Sequence, residues 1–294
     1  MSVDDLNTHL KTGATHVCHC WSVTRADGMR FGFTDHDRAL TFDGIEFVPD
    51  TGMSAKALAS TTGLSVNNTE ALGVLSTDAI TNADLEAGRY DGAAVAVWLV
   101  QWDDIQAREL QFAGTIGEIV RENGSYRAEL RGLTEQLNQE TGRAYLRTCS
   151  AVLGDARCGV DTDDVEFAAI GTVTAVTDDQ YVTLTLPQAY TARWFEAGAL
   201  RVIDGDAYGL LAPIKADDGA ADSREITLWQ PLRASLAVGD QVKLIAGCDK
   251  RAVTCREKFR NLLNFQGFPD IPGDDWLMSV PRSSAEHDGG SLTR

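Results

Sequence analysis

Four cysteines are the residues of this chain whose type and spacing could do chemistry. Cys149 and Cys158 enclose eight residues, and Cys248 and Cys255 enclose six. Each pair lies in a polar, Gly-containing segment where a chain can curl round an ion. Thiolates are soft ligands that suit zinc, copper or iron–sulfur clusters. Four of them complete either a tetrahedral zinc site or a cubane cluster. The spacing does not choose between these, or between them and four ordinary thiols. Zinc pairs stand about two to four residues apart and ferredoxin runs are also tighter. A disulfide is less expected in a reducing cytosol. Arg157, Lys250, Arg251 and Arg256 flank the thiols. Cations there would lower thiol pKa values and offset a cluster's charge, or would simply form a solvated basic face.

Cys18 and Cys20 differ. At i and i+2 of a strand they share one face, and small buried side chains account for them without a metal. Asp35-His36-Asp37 could hold a metal or act as acid and base. Between two predicted strands it reads as turn chemistry. The chain has no G-x-S-x-G, H-E-x-x-H or Walker loop and no flavin or dinucleotide fingerprint. Five histidines leave little for hydrolysis. No catalytic residue is assigned, and the chain does not read as an enzyme.

The elements that must position these residues are mostly strands. Val3, Leu6 and Leu10 recur at helical spacing, with Ser2 as cap and Gly13 as stop. Strands follow at Val17–Val23 and Met29–Thr34 across Asp27-Gly28, then at 39–42 and 45–48 across Asp43-Gly44. Further strands are predicted at 93–102, 110–121 and 126–131, the last two joined at Asn123-Gly124. Helical pieces fit 82–87 and 133–139. Beyond Thr148 the composition shifts to Gly, Asp and Cys. Strands return at 171–176, 181–186, 200–203, 207–211, 226–229 and 241–245, with turns at Asp178-Asp179 and Asp204-Gly205-Asp206. Residues 192–197 fit one helical turn.

This order predicts a mainly β (α+β) protein. Residues 1–140 would form a β-rich domain. Residues 141–165 and 246–280 would form a discontinuous four-cysteine metal-binding domain, interrupted by an inserted β domain at 166–245. Residues 281–294 would be a flexible tail, too poor in apolar residues to fold alone. The two Cys segments would have to meet in space, as the ends of an inserted domain ordinarily do. The stretch Phe265–Pro272 is apolar but irregular, fit to cover a metal site or a core. The six tryptophans are scattered and suit core or interface.

Among 294 residues, 26 Lys+Arg stand against 43 Asp+Glu, a net charge of −17. That excludes coating by DNA or anionic lipid, which depends on Lys and Arg displacing counterions. It allows a tube wall past which DNA slides without sticking, or solubility alone. The start, Met-Ser-Val-Asp-Asp-Leu, is unlike a secretion signal. The longest apolar run, 93–100, cannot span a bilayer. A soluble protein made in the cytoplasm is expected.

Several segments carry a resemblance. Gly32-Phe33-Thr34-Asp35-His36-Asp37-Arg38, Gly132-Leu133-Thr134 and Leu153–Asp161 resemble phage proteins with DUF2163 and phage BR0599 domains. So does Ala246-Gly247-Cys248-Asp249-Lys250-Arg251 with Thr254-Cys255, Phe259, Asn261, Asn264-Phe265, Gly267-Phe268-Pro269 and Pro272-Gly273. The likeness runs over roughly residues 5 to 280. The family is similar to the hub protein of gene transfer agents, and its Cys-bearing part to the tail-tip protein L of lambda-type phages, which binds an iron–sulfur cluster. The resemblance implies a tail-tip hub in a virion-like particle, assembled as a ring, most simply a trimer. Its neighbours would be the distal tail protein and other baseplate or tail-fibre proteins. DNA would pass without specific binding. It also implies an iron–sulfur cluster, expected as 4Fe-4S, on Cys149, Cys158, Cys248 and Cys255, with zinc as the alternative metal. Two other readings stay open, an iron–sulfur redox protein and a zinc-stapled interaction module. Cys18 and Cys20 fall outside the motif.

Overall fold

Short turns with dedicated residues organise the first half of the chain. Asp27 accepts the Met29 N–H at 3.1 Å, and Gly28 takes φ +86°. Strand β1 (Val17–Thr24) thereby folds back on β2 (Arg30–Thr34). The computed structural model describes residues 3–49, 68–71, 80–122, 125–132, 142, 144–220 and 222–271. The expected Ser2 cap, the Asn123-Gly124 turn, the helix at 133–139, Pro272-Gly273, Trp276 and the tail 281–294 lie outside them. Among the described residues no helix is long and apolar enough to cross a membrane.

The chain divides into two units, Met1–Thr141 and Gly142–Arg294. The first opens with helix α1 (Val3–Leu10), which buries Leu6. It continues through β1, β2, β3 (Leu40–Phe42), β4 (Ile45–Pro49), β5 (Asn68–Ala71), α2 (Asn82–Glu86), β6 (Ala94–Gln101), β7 (Arg108–Glu122) and β8 (Ser125–Gly132). These strands form one sheet in the order β3-β4-β2-β1-β6-β7-β8-β5. Sequence patterning missed β5, a four-residue edge strand of Asn, Thr, Glu and Ala that lacks apolar alternation. Strand β1 is covered on both faces. Trp21 and Val23 pack with Phe33, Tyr90, Val95 and Val97, while Cys18 and Cys20 pack with Phe42, Phe47 and Val100. Burial therefore accounts for both of these thiols. The Cys20 thiol hydrogen-bonds to Cys18, which lowers the pKa of Cys18 and raises that of Cys20. Asp35 accepts the His19 N–H at 2.7 Å and pairs with its Nδ1 at 3.1 Å, and the His36 N–H binds Thr34 Oγ1. The Asp35-His36-Asp37 segment thus ties the end of β2 to β1, as turn chemistry requires.

In the second unit, β9 (Ala168–Thr177), β10 (Tyr181–Thr185), β11 (Ala199–Val202), β12 (Leu211–Ala220), β13 (Ser223–Leu228) and β14 (Gln241–Ile245) close into a barrel in the order β10-β13-β12-β11-β14-β9. Inward-facing residues alternate along each strand and build one core, including Val173, Val182, Leu184, Leu200, Ile214, Leu228 and Leu244. The β9–β10 turn holds Asp178 and Asp179 at φ 53° and 48°, the left-handed pair that short hairpins favour.

Three local expectations change. Residues 207–211 are not a strand. Ala207–Leu210 form a turn, Gly209 takes φ +80°, and the strand begins at Leu211. A bulge at Lys215 shifts the phase of β12, so that Asp217 rather than Ala216 faces inward. That shift broke the alternation on which a strand reading depends. Residues 192–197 are turns rather than a helical turn, because Arg193 and Ala197 both take φ 59°. The second Cys segment contains an unforeseen helix, α3 (Ala252–Glu257).

Asp217 and Arg224 are fully buried and joined at 2.6 and 2.9 Å. Asp217 also accepts the Phe195 N–H, and Arg224 donates to the carbonyls of Tyr190 and Thr191. Every strong group of the pair is satisfied, which pins the 190–195 turn to the barrel. Removing one partner would strand a buried charge at a cost of about 3–5 kcal/mol.

Candidate metal centre

Barrel closure brings the two Cys segments together. The first and last strands are neighbours, and Ala168 stands opposite Ile245. The pairing continues one step outward, where the Ala246 N–H donates to Phe167 O at 2.7 Å. The chain that enters the barrel after Cys158 and the chain that leaves it toward Cys248 therefore emerge side by side. Backbone bonds then lace the segments. The Cys149 N–H donates to Lys250 O at 2.9 Å, and the Phe268 N–H to Leu146 O at 2.9 Å.

Cys149, Cys158, Cys248 and Cys255 all line one cavity, with Ala151, Leu153, Val160, Phe259 and Phe265 as its apolar wall. Phe265 thus belongs to the covering loop that the sequence suggested. Cys158 sits on a turn organised by Asp155, whose carboxylate accepts the N–H groups of Cys158 (2.7 Å), Val152 and Arg157. Those bonds hold the Asp155 carboxyl below the usual carboxylate range. Cys255 sits on α3. Among the described residues, no three His, Cys, Asp or Glu side chains converge closely enough to hold a single metal ion.

The sulfurs have donors of their own. The Gln266 N–H approaches Cys149 Sγ at 3.4 Å, and Asn261 Nδ2 approaches Cys158 Sγ at 3.8 Å while bonding Cys158 O at 2.6 Å. The backbone N–H of Lys250 points at Cys248 and partly opposes the effect of burial, which raises that thiol. Burial and then the charges of Cys248, Cys149 and Cys158 push Cys255 up to about 11. Metal ligation would relieve the repulsion that opposes ionisation of Cys255. The indole Nε1 of Trp194, packed against this cluster, is buried without an acceptor. Four soft ligands, N–H donors aimed at sulfur and an orphaned buried donor together fit an anionic thiolate-bound group.

Of the flanking cations named from sequence, Arg157, Arg251 and Arg256 are exposed and face the carboxylates of Asp155, Asp249 and Glu257. Lys250 and Arg251 both line the cavity. Sequence reasoning missed Lys258, Trp194 and Gln266 as neighbours of the thiols, and it noted Asn261 only as part of a motif. Nothing in their spacing marks them, because each reaches the site through the fold.

The described residues thus form an eight-stranded sheet, a closed barrel and, where the chain enters and leaves that barrel, a cavity lined by four thiols. Residues 4–161 match the family described as baseplate hub protein, N-terminal attachment domain, and this chain belongs to that family. Residues 193–275 match the family of the phage conserved hypothetical protein BR0599. The first match contains Cys149 and Cys158, and the second contains Cys248 and Cys255. Among solved structures, a chain from "Virion of native gene transfer agent (GTA) particle" is similar at 50% identity and a TM-score of 0.85, over 98% of this chain and 99% of that one. No curated protein matches.

Proposed function

We propose that this chain is the structural hub of the tail tip or baseplate of a phage-like, gene transfer agent particle. The observation that carries the reading is the end-to-end similarity to a chain of such a virion, and the baseplate-hub family supports it. In this role the protein joins the tail tube to receptor-facing proteins, with the distal tail protein and tail-fibre proteins as neighbours, and forms part of the DNA channel. A tail is a rotationally symmetric shaft, so the hub closes as a ring of identical subunits through heterologous interfaces, a trimer in the simplest case. The surplus of acidic residues lines the bore and repels passing phosphate. No chemical step is required of it.

The four thiols hold an iron–sulfur cluster, of the 4Fe-4S type, that staples the two Cys segments. Four cysteines lining one cavity supply the four thiolates that such a cluster takes, and one zinc ion held by the same four sulfurs at about 2.3 Å is the alternative. The test is the visible absorption spectrum of anaerobically purified full-length chain, with iron, sulfide and zinc assays. A brown chromophore with iron and sulfide in equal amounts is expected. A colourless protein with one zinc per chain would return the zinc-stapled module. Reversible reduction coupled to a substrate would return the redox protein. Imaging of the particle tip tests the rest. A ring coaxial with the tube is expected, and isolated monomers on the outside of the tail or a Lys/Arg-lined bore would end the channel role.

A further inference from the structure

Two lysines beside the thiols have no carboxylate partner among the described residues. Lys258 follows α3 and turns its ammonium inward. Its Nζ donates to Trp194 O at 2.5 Å and Gly247 O at 2.8 Å, 4.4 Å from the centre of the Trp194 ring and 5.4 Å from that of Phe259. Burial lowers its pKa to about 8, and the charge interaction that most opposes this is with Cys248. The carboxylates acting on it at a distance, Asp217 and Asp249, already face Arg224 and Arg251. Lys250 lines the thiol cavity, and its Nζ donates to Ala151 O. Its backbone takes φ +65°, a conformation that costs a non-glycine residue free energy. Partly buried ammonium groups held by carbonyls and ring faces are costly when no carboxylate among the described residues pairs with them. Of the three arginines around the same site Arg251 also lines the cavity, but each is exposed and stands beside a carboxylate. Two cations without a counter-anion therefore flank one cavity lined by four potential anions.

We infer that Lys250 and Lys258 are the built-in countercharge of an anionic thiolate centre in this cavity, so that the site is assembled for net negative charge rather than for a neutral group. The inference rests on the cluster reading above and adds which residues carry its electrostatics. Lys258 has a second task as a positioning residue. It ties α3, which carries Cys255, to the Trp194 and Gly247 carbonyls on the barrel side. Lys258→Met removes both the charge and these two hydrogen bonds, so the midpoint potential, which a purely structural brace would not lower, is the readout that separates charge from position.

The experiment uses the full chain purified anaerobically with its chromophore, as wild type, Lys250→Met, Lys258→Met and Lys258→Arg. Bleaching of the chromophore by excess iron chelator is followed, together with the midpoint potential and the melting of loaded and metal-free protein. Bleaching about tenfold faster is expected in both Met variants, as for other partners of metal ligands. Their potentials should fall, because a lost cation disfavours the more negative reduced state. Lys258→Arg should restore retention, and the Met variants should lose more melting temperature as loaded protein than as metal-free protein. If the wild type is coloured and the Met variants bleach at its rate with unchanged potentials, this inference is overturned and the cluster reading survives. If Lys258→Met and Lys250→Met lower the melting temperature of metal-free and loaded protein equally, the lysines are only braces and the inference is again overturned. A colourless wild type with no iron overturns both.

Discussion

Cys255→Ser is expected to lower the melting transition of the Gly142–Arg294 unit by roughly 10 °C or more while leaving that of Met1–Thr141 unchanged. Loss of a metal ligand belongs to the small class of substitutions costing more than about 4 kcal/mol. For domains of this size about 1 kcal/mol moves the midpoint by about 2–4 °C. The described structure says where the damage should fall. The barrel has its own large core, including Val173, Leu184, Ile214, Leu228 and Val242. The Cys segments share only a small cluster of Ala151, Cys158, Val160, Phe167, Ala246 and Phe259. Without the staple, α3 and the 149–158 turn should fray while the barrel strands persist. Hydrogen exchange would show protection lost at residues 248–268 and kept in β9–β14. A mutant that melted with wild type would make the centre dispensable for stability and the staple reading wrong.

Gly247→Ala should be nearly as damaging, although it touches no sulfur. A Cβ at 247 would stand 1.6 Å from Glu196 O and 2.5 Å from its carbonyl carbon. Both are backbone atoms and cannot swing aside. The last barrel strand would have to separate from the 193–198 turn. That separation breaks the Gly247 N–H bond to Trp194 O and the Cys248 N–H bond to Ala197 O, and it displaces the Gly247 carbonyl from Lys258. Overpacking together with two or three lost hydrogen bonds amounts to about 3 kcal/mol or more. The expected result is a lower denaturant midpoint with Cys248 newly reactive toward a thiol reagent. A midpoint within about 0.5 kcal/mol of wild type, the range of an ordinary surface substitution, would show that the close approach is not required.

Much of the β architecture was legible because its signals are local. Asp27-Gly28 and Asp178-Asp179 mark hairpins by their tolerance of left-handed backbone, and runs such as Val95–Val100 carry the apolar content of a covered strand. Where the signal was not local it misled. The Lys215 bulge hid β12, and the left-handed Arg193 and Ala197 turned an apparent helical turn into a loop. The buried Asp217–Arg224 pair was also invisible, because charged residues in a strand read as solvent-facing until the strand's phase is known.

The centre divides along the same line. Residue type and segment composition alone name four thiols, in two polar, Gly-containing segments within motifs that resemble phage hub proteins, as candidate ligands for a soft metal or a cluster. That the two pairs share a cavity is a property of the fold, since about ninety residues separate Cys158 from Cys248 and no spacing rule spans a domain. The physical reason is barrel closure. When β9 pairs with β14, the register Ala168 opposite Ile245 fixes both exits at one point. Beside those exits Lys250 and Lys258 have no carboxylate of their own among the described residues, whereas Arg157, Arg251 and Arg256 each have one.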